Sequence, residues 1–333
     1  MATKLNYAVF GHGSWATAIV KMLSENLDTI YWYVKRPQLL SYIEKENHNP
    51  RYLSSVEFDL TKLKLSCDVD FIANKADVLI FAIPSAYISQ ELESISVDIS
   101  KKIIVSAIKG IVPDTGLLVT EHFNKTKNVP ISKIAVIGGP CHAEEVALER
   151  LSYLTLACKD PNISRKLVSV FRSHYIKTNA HKDVIGVEHA AMLKNIYAIA
   201  AGISHGLGYG DNFQSVLMSS AIREMKRFIK KVFKMKRKIN ETVYLGDLLV
   251  TGYSTFSRNR MFGNMIGKGY TVKSAQMEMN MVAEGYYATK IAYKTNKEFP
   301  LSARTPIINT VYDVLYNKKL PKRAFKELSD KLN

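Results

Sequence analysis

The segment LNYAVFGHGSWATAIVKML, from Leu5 to Leu23, constrains the fold more than any other part of the chain. A short apolar run ends in a glycine turn and passes directly into a helical pattern, with Trp15, Ala18, Ile19, Met22 and Leu23 on one face. Similar apolar runs recur as TIYWYV from Thr29, VLIFAI from Val78, KIIVSAI from Lys102, KIAVIG from Lys133 and YLTLAC from Tyr153. Continuous Val/Ile-rich runs are what parallel strands covered on both faces look like, and the helical patterns between them read as crossovers. From about Asp183 these signals fade and long helical patterns take over. The expected architecture is an α/β N-terminal Rossmann-like parallel-sheet domain over 1–182, followed by an all-α C-terminal domain over 183–333.

The first turn reads G-x-G-x-x-A, from Gly11 to Ala16. Gly11 permits the tight turn, Gly13 lets a pyrophosphate approach the backbone, and Ala16 stands where a third glycine packs helix on strand. The helix amino end then faces the anion. The second strand ends Val34-Lys35-Arg36-Pro37 with no carboxylate. An acidic residue there holds the ribose hydroxyls of NAD, and a basic one accommodates the extra phosphate of NADP. Lys35 and Arg36 therefore predict that NADP is accepted, although both also fit as plain surface charges.

Composition narrows the partners. The chain has 333 residues, 47% of them hydrophobic, enough for a large core in two domains. Cys67, Cys141 and Cys158 make an odd set without metal-like spacing, which suits a reducing cytoplasm and argues against a disulfide framework. The histidines show no ligand spacing either, so no metal is expected. The N-terminus enters its first strand without a basic-then-apolar leader, which argues against export. No apolar run escapes interruption long enough to span a bilayer, so no membrane insertion is expected.

The net charge of +16 stands out and favours anionic partners. Nine Lys and Arg residues fall between Arg223 and Lys238, interleaved with Ile222, Met225, Phe228, Ile229, Val232 and Phe233 at helical period. The pattern predicts an amphipathic basic helix over 223–238, read first as a solvated face. No helix-turn-helix or RNA-recognition pattern accompanies it, so no nucleic-acid partner is expected.

One apolar run, GVEHAAMLKNIYAIAAGISHG from Gly186, holds Lys194 among Ala, Ile, Leu and Met. Two readings compete for it. Either the ammonium snorkels to solvent, or it is desolvated and its pKa falls from about 10.4 toward neutrality, where it can carry a proton. Asn195 beside it offers an amide for orientation. Lys109, after the strand KIIVSAI, is either a loop lysine or a group at the carboxyl end of a parallel strand, where ligands bind. Asp247 is either an N-cap ahead of LLVT or a group that orients Lys194 or a substrate hydroxyl. Ser257-Arg258-Asn259-Arg260 concentrates donors suited to a phosphate monoester, with Arg258 the best placed.

GHGSWATA, IKG at Ile108–Gly110, GGPCHAEE, GVEHAAMLKNIYAIAAGISHGLGYGDN, LGDLLVT, SRNRMFG and MVAEGYYATK follow one another in an order that resembles the NAD(P)-dependent glycerol-3-phosphate dehydrogenases of the bacterial type. The resemblance covers nearly the whole chain. It implies NAD(P)H-dependent, reversible reduction of dihydroxyacetone phosphate to sn-glycerol 3-phosphate, the backbone of glycerophospholipids, by a cytoplasmic homodimer using NADP or NAD. Beside the glycine turn, it implies cofactor contacts at Ser14, Trp15, Arg36, Lys109, Ala143, Arg258, Val282 and Glu284. It implies substrate contacts at Lys109, Gly139, Cys141, Lys194, Asp247, Ser257, Arg258 and Asn259, with Lys194 as proton acceptor and Lys109 and Asp247 beside it in catalysis. Cys141 departs from the Thr or Ser usual there, and a thiol is the weaker hydrogen-bond partner. The related 3-hydroxyacid and 6-phosphogluconate dehydrogenases share the lysine–asparagine pair but not the LGD and SRNR blocks.

Overall fold

The computed structural model describes residues 5–279, 283–300 and 302–332. It divides into two compact units, Met1–Ile108 with Val112–Val184, and Lys109–Ile111 with Ile185–Asn333.

The first unit is built on an eight-stranded sheet of order β3-β2-β1-β4-β5-β6-β7-β8. The strands are β1 Tyr7–Phe10, β2 Ile30–Tyr33, β3 Leu63–Ser66, β4 Val78–Phe81, β5 Ile103–Ser106, β6 Ile134–Gly138, β7 Ser152–Cys158 and β8 Ile176–His181. Every apolar run quoted above coincides with one of them, give or take a residue or two at the ends. In β1, Tyr7 and Val9 enter the core on one face of the sheet and Ala8 and Phe10 the core on the other. This period-two partition is why such strands read as unbroken apolar runs. Strand order reverses between β1 and β4, and Phe10 stacks on Phe81 across that point at 4.6 Å.

The sheet departs from the expected parallel one at a single pairing, where β7 runs antiparallel to β6. The link between them carries only the short helix Ala143–Ala147 and returns the chain at the end of the sheet where β6 stopped. The helix Pro161–Phe171 then makes a full crossover, so β8 is parallel to β7. Strands β3 and β8 were not legible as apolar runs. Both are edges, and their sequences LKLS and IKTNAH alternate buried with exposed positions.

The second unit is helical. Its central helix, Val184–Gly206, is buried at every position from Gly186 to Ser204. A helix that is apolar all round has to form the core. It crosses the helix Arg258–Gly267 at closest range through paired glycines. A Cβ at Gly202 would run into the Arg260 carbonyl oxygen, and one at Gly263 into that of Ile199. Gly206 and Gly267 face the same two backbones one turn further on. Elsewhere the buried Glu224 caps the helix Pro306–Tyr316, its side-chain oxygens accepting the N–H groups of Ile307 at 2.8 Å and Ile308 at 3.0 Å.

The basic helix ends earlier than its periodicity predicts. The helix is Asp211–Val232, and Phe233 has extended backbone at φ −145°, ψ 110°. Phe228 and Ile229 are buried, but Phe233 is 41% exposed, so the apolar stripe has lost its core by that point. Continuing the helix would also place Lys230 and Lys231 against Lys234 at repulsive spacing.

An alanine in a solvent-exposed helix normally gains up to about 1 kcal/mol over glycine. Gly202→Ala and Gly263→Ala should do the reverse, lowering stability by about 1–3 kcal/mol through overpacking. The midpoint of denaturant unfolding checks the sign, and a rise in either variant would refute the close crossing.

Candidate active site

The glycine turn lies at the carboxyl end of β1, beside the point where strand order reverses and where open α/β sheets bind ligands. Gly11 has φ +118°, and a Cβ there would lie 2.5 Å from the Ala82 carbonyl oxygen, so no other residue fits. Its own carbonyl accepts the indole N–H of buried Trp32 at 2.7 Å. Gly13 is the N-cap of the helix Ser14–Ser24. Ser14, buried, and Trp15, half-buried, open that helix at the positive end of its dipole.

Asn49, fully buried, pins this turn. Its amide donates to the His12 carbonyl at 3.0 Å and to Thr17 Oγ1 at 3.0 Å, and its Oδ1 accepts the Arg51 N–H at 3.0 Å. The cations expected at the end of β2 part ways. Arg36 is exposed as the N-cap of the helix Pro37–Glu46, whereas Lys35 pairs with Glu91 at 3.2 Å. Burial pushes the His12 imidazole pKa down, and the charges of Arg36, Arg51 and Lys35 push it further. The adenosine end expected of this turn is therefore electropositive.

Gly139, Cys141 and Ala143 follow β6 in the same unit. Gly139 has φ +107°, and a Cβ there would lie 2.7 Å from the Tyr153 carbonyl oxygen. Cys141 and Ala143 are buried, with His142 between them as the N-cap of Ala143–Ala147. Cys141 is 3% exposed, so its thiol is not an accessible nucleophile.

In the helical unit, Lys194 is 3% exposed, so it does not snorkel. Its Nζ donates to Asp247 Oδ1, and the two side chains form a buried ion pair. Burial brings the ammonium down to about 8 despite the opposing pull of Asp247, and the charge of Lys109 lowers it too. Asp247 is the first residue of the helix Asp247–Tyr253, with Gly246 as the N-cap, so its carboxylate is available to Lys194. A π-helical turn, Thr242–Gly246, precedes it, a distortion common at functional sites. The Asp247 carbonyl accepts from Thr251 Oγ1 at 2.6 Å. Asn195 Nδ2 donates to the Lys109 carbonyl at 2.8 Å, fastening the Lys109–Ile111 segment to this unit.

The polar segment after Phe256 joins the same cluster. Ser257 is the N-cap of Arg258–Gly267, its Oγ accepting the Arg260 N–H at 3.3 Å. Arg258 is half-buried at the first helical position. Asn259 Oδ1 accepts the Gly285 N–H at 2.9 Å, and a Cβ on Gly285 would lie 2.7 Å from the Asn195 carbonyl oxygen. Lysine, asparagine and arginine segments thus converge at one glycine, next to Glu284, the first residue of Glu284–Glu298. Val282 lies outside the described residues. Arg260 has its Nε buried without a hydrogen-bond partner.

Asn49, Thr251 and Gly285 were not singled out from sequence. Asn49 and Gly285 meet groups far along the chain, and Thr251 makes the ordinary i−4 bond of a helical threonine, so nothing local distinguishes them. Among the described residues, no three His, Cys, Asp or Glu side chains gather as metal ligands, and no helix is long and apolar enough to cross a membrane.

Comparison with known proteins gives this arrangement a family. The chain matches the family models for the N-terminus of NAD-dependent glycerol-3-phosphate dehydrogenase over residues 6–164 and for its C-terminus over 183–326. It is 34% identical to the glycerol-3-phosphate dehydrogenase [NAD(P)+] of Bacillus subtilis, covering 96% of this chain and 92% of that one. It is 34% identical to the protein of the same name from Staphylococcus haemolyticus, with 96% of each covered. The crystal structure of glycerol-3-phosphate dehydrogenase from Coxiella burnetii superposes with a TM-score of 0.87 at 29% identity, covering 98% of both chains. The chain therefore belongs to the NAD(P)-dependent glycerol-3-phosphate dehydrogenase family, oxidoreductases that interconvert dihydroxyacetone phosphate and sn-glycerol 3-phosphate, the backbone of glycerophospholipids.

Proposed function

We propose that Lys194 is the proton carrier of this reaction, with Asp247 orienting it and Lys109 beside it in catalysis. The observation that carries the reading is a buried ammonium brought to about 8 and paired with a single carboxylate. Reduction of a ketone develops negative charge on the carbonyl oxygen, which needs a cation and then a proton. The Lys194 ammonium supplies both, and as the neutral amine it removes the alcohol proton in the reverse direction. Asp247 holds Nζ in place through the pair and keeps part of the ammonium population charged.

The dinucleotide belongs, in this reading, to the 1–182 domain and the substrate to the 183–333 domain. Gly11 and Gly13 let the pyrophosphate reach the backbone, and Ser14 and Trp15 present the helix amino end. The cradle at Gly11, which a Cβ would fill, and the acid-free end of β2 fit such a cofactor, with Arg36 at its adenosine end. Ala143, Arg258, Val282 and Glu284 complete the cofactor set, and Lys109 serves cofactor and substrate alike. The nicotinamide, when bound, supplies or takes the hydride. Gly139, Cys141, Ser257 and Asn259 contact substrate, and Arg258 offers its guanidinium fork to the substrate phosphate. The protein works in the cytoplasm as a homodimer.

Three outcomes follow. Lys194→Met should lower kcat by about 10²–10⁴-fold while NADPH binding, followed by fluorescence titration, is nearly unchanged. Near-normal turnover would exclude Lys194 as the carrier. The kcat/KM for dihydroxyacetone phosphate should fall as pH rises through about 8, because reduction uses the charged lysine, and that for glycerol 3-phosphate oxidation should rise through the same region. Arg258→Ala should raise KM for dihydroxyacetone phosphate by roughly ten- to a hundredfold, the equivalent of one hydrogen bond to a charged group. An unchanged KM would reassign the phosphate.

A further inference from the structure

The positive charge of the second unit is concentrated in one stretch of chain, residues 223–238. Between Arg223 and Lys238 the sole acidic residue is Glu224, and it is fully buried at the amino end of Pro306–Tyr316. Lys226, Lys230, Lys231, Lys234, Lys236 and Lys238 are all exposed, and none forms an ion pair among the described residues.

Three arginines around them donate to main-chain carbonyls. Arg223 Nη2 donates to the Leu332 carbonyl at 3.2 Å, and Arg227 Nε to the Arg304 carbonyl at 3.2 Å. Arg304 Nη2 in turn donates to the Lys331 carbonyl at 3.0 Å. These bonds link Arg304 and the C-terminal main chain at Lys331 and Leu332 to the helix, with carbonyl oxygens rather than carboxylates as acceptors.

A face kept only for solubility is served better by mixed signs, since like charges at helical spacing repel. We propose that this face, from Lys226 through Lys238, docks the protein peripherally on an anionic phospholipid surface. Charge complementarity points to a polyanion, and the side chains choose which. Phe233 is 41% exposed and Met235 and Ile239 are half-buried, so apolar groups sit among the lysines where an interface takes up both. Lysine supplies point charge on a flexible apolar stem, which suits a fluid array of headgroups. Reading nucleic acid favours the arginine fork, and the forks of Arg223, Arg227 and Arg304 are already directed at carbonyls. The contact is interfacial, with no helix crossing the bilayer.

The test is co-sedimentation of the full chain with vesicles of phosphatidylcholine alone and of equal parts phosphatidylcholine and phosphatidylglycerol. The protein should partition onto the anionic vesicles only, and added salt should release it. A lysine near an anionic membrane is worth about fivefold in partition, so Lys230→Gln combined with Lys234→Gln should lower binding by roughly 25-fold. Phe233→Ser should weaken binding while leaving the salt dependence unchanged. Turnover of dihydroxyacetone phosphate, which these positions do not touch, reports that the variants are folded. Absence of partition onto the anionic vesicles, equal partition onto both kinds, or an unchanged double variant would overturn the proposal. So would displacement from the vesicles by duplex DNA of equal phosphate content. The vesicle result stands whether or not the chain turns over its substrate.

Discussion

A charged lysine in the middle of a helix with no route to water is the constraint around which the second unit is organised. An unpaired buried charge is costly, and removing one member of such a pair destabilises strongly, by about 3–5 kcal/mol. Lys194 is tolerable because Asp247 meets it, and Asp247 is in position because the chain leaves a π-helical turn at Gly246 and starts a new helix there. The pair does not restore the ordinary lysine pKa, because burial outweighs it. That imbalance is what the proton-carrier role proposed for Lys194 draws on.

The surroundings of the pair are backbone as much as side chain. Asn195 holds the Lys109 segment by its carbonyl, Asn259 takes the Gly285 amide, and the Asn195 carbonyl closes over Gly285. Each polar side chain that is not itself charged acts by fixing main chain. In the first unit Asn49 does the same for the Gly11–Gly13 turn, with one amide group serving two segments.

The strands β1, β4, β5 and β6 could be read in the sequence because both their faces are covered, so their composition carries the signal without any knowledge of neighbours. The edges β3 and β8 could not, since solvent takes half their positions, nor could the antiparallel turn of β7, which is a property of the link before it. Lys194 was conspicuous as the lone charge in an apolar run, but composition alone left its role open between solvent and chemistry. Burial on every side of the helix decided against solvent. Asn49 and Gly285 were illegible for a plainer reason: their partners lie tens of residues away, and nothing in their own neighbourhoods marks them. The basic helix was overextended because periodicity continued past the point where the core ended.

The glycine crossing of Val184–Gly206 and Arg258–Gly267 has a bearing on how this protein can change. Where side chains separate two helices, their spacing drifts as those side chains are exchanged. Here main chain rests on main chain, at Gly202 against Arg260 and at Gly263 against Ile199, so there is no side chain to exchange. Lys194 stands about 8 Å along one helix from the Ile199 end of that contact and about 12 Å from Gly202, and Arg258 lies within a turn of Arg260 on the other. The span between Lys194 and Arg258 is thus a fixed gauge. With the roles proposed for Lys194 and Arg258, a substrate longer or shorter than the one it fits has to be met by new side chains at the helix ends, because the helices themselves cannot be respaced.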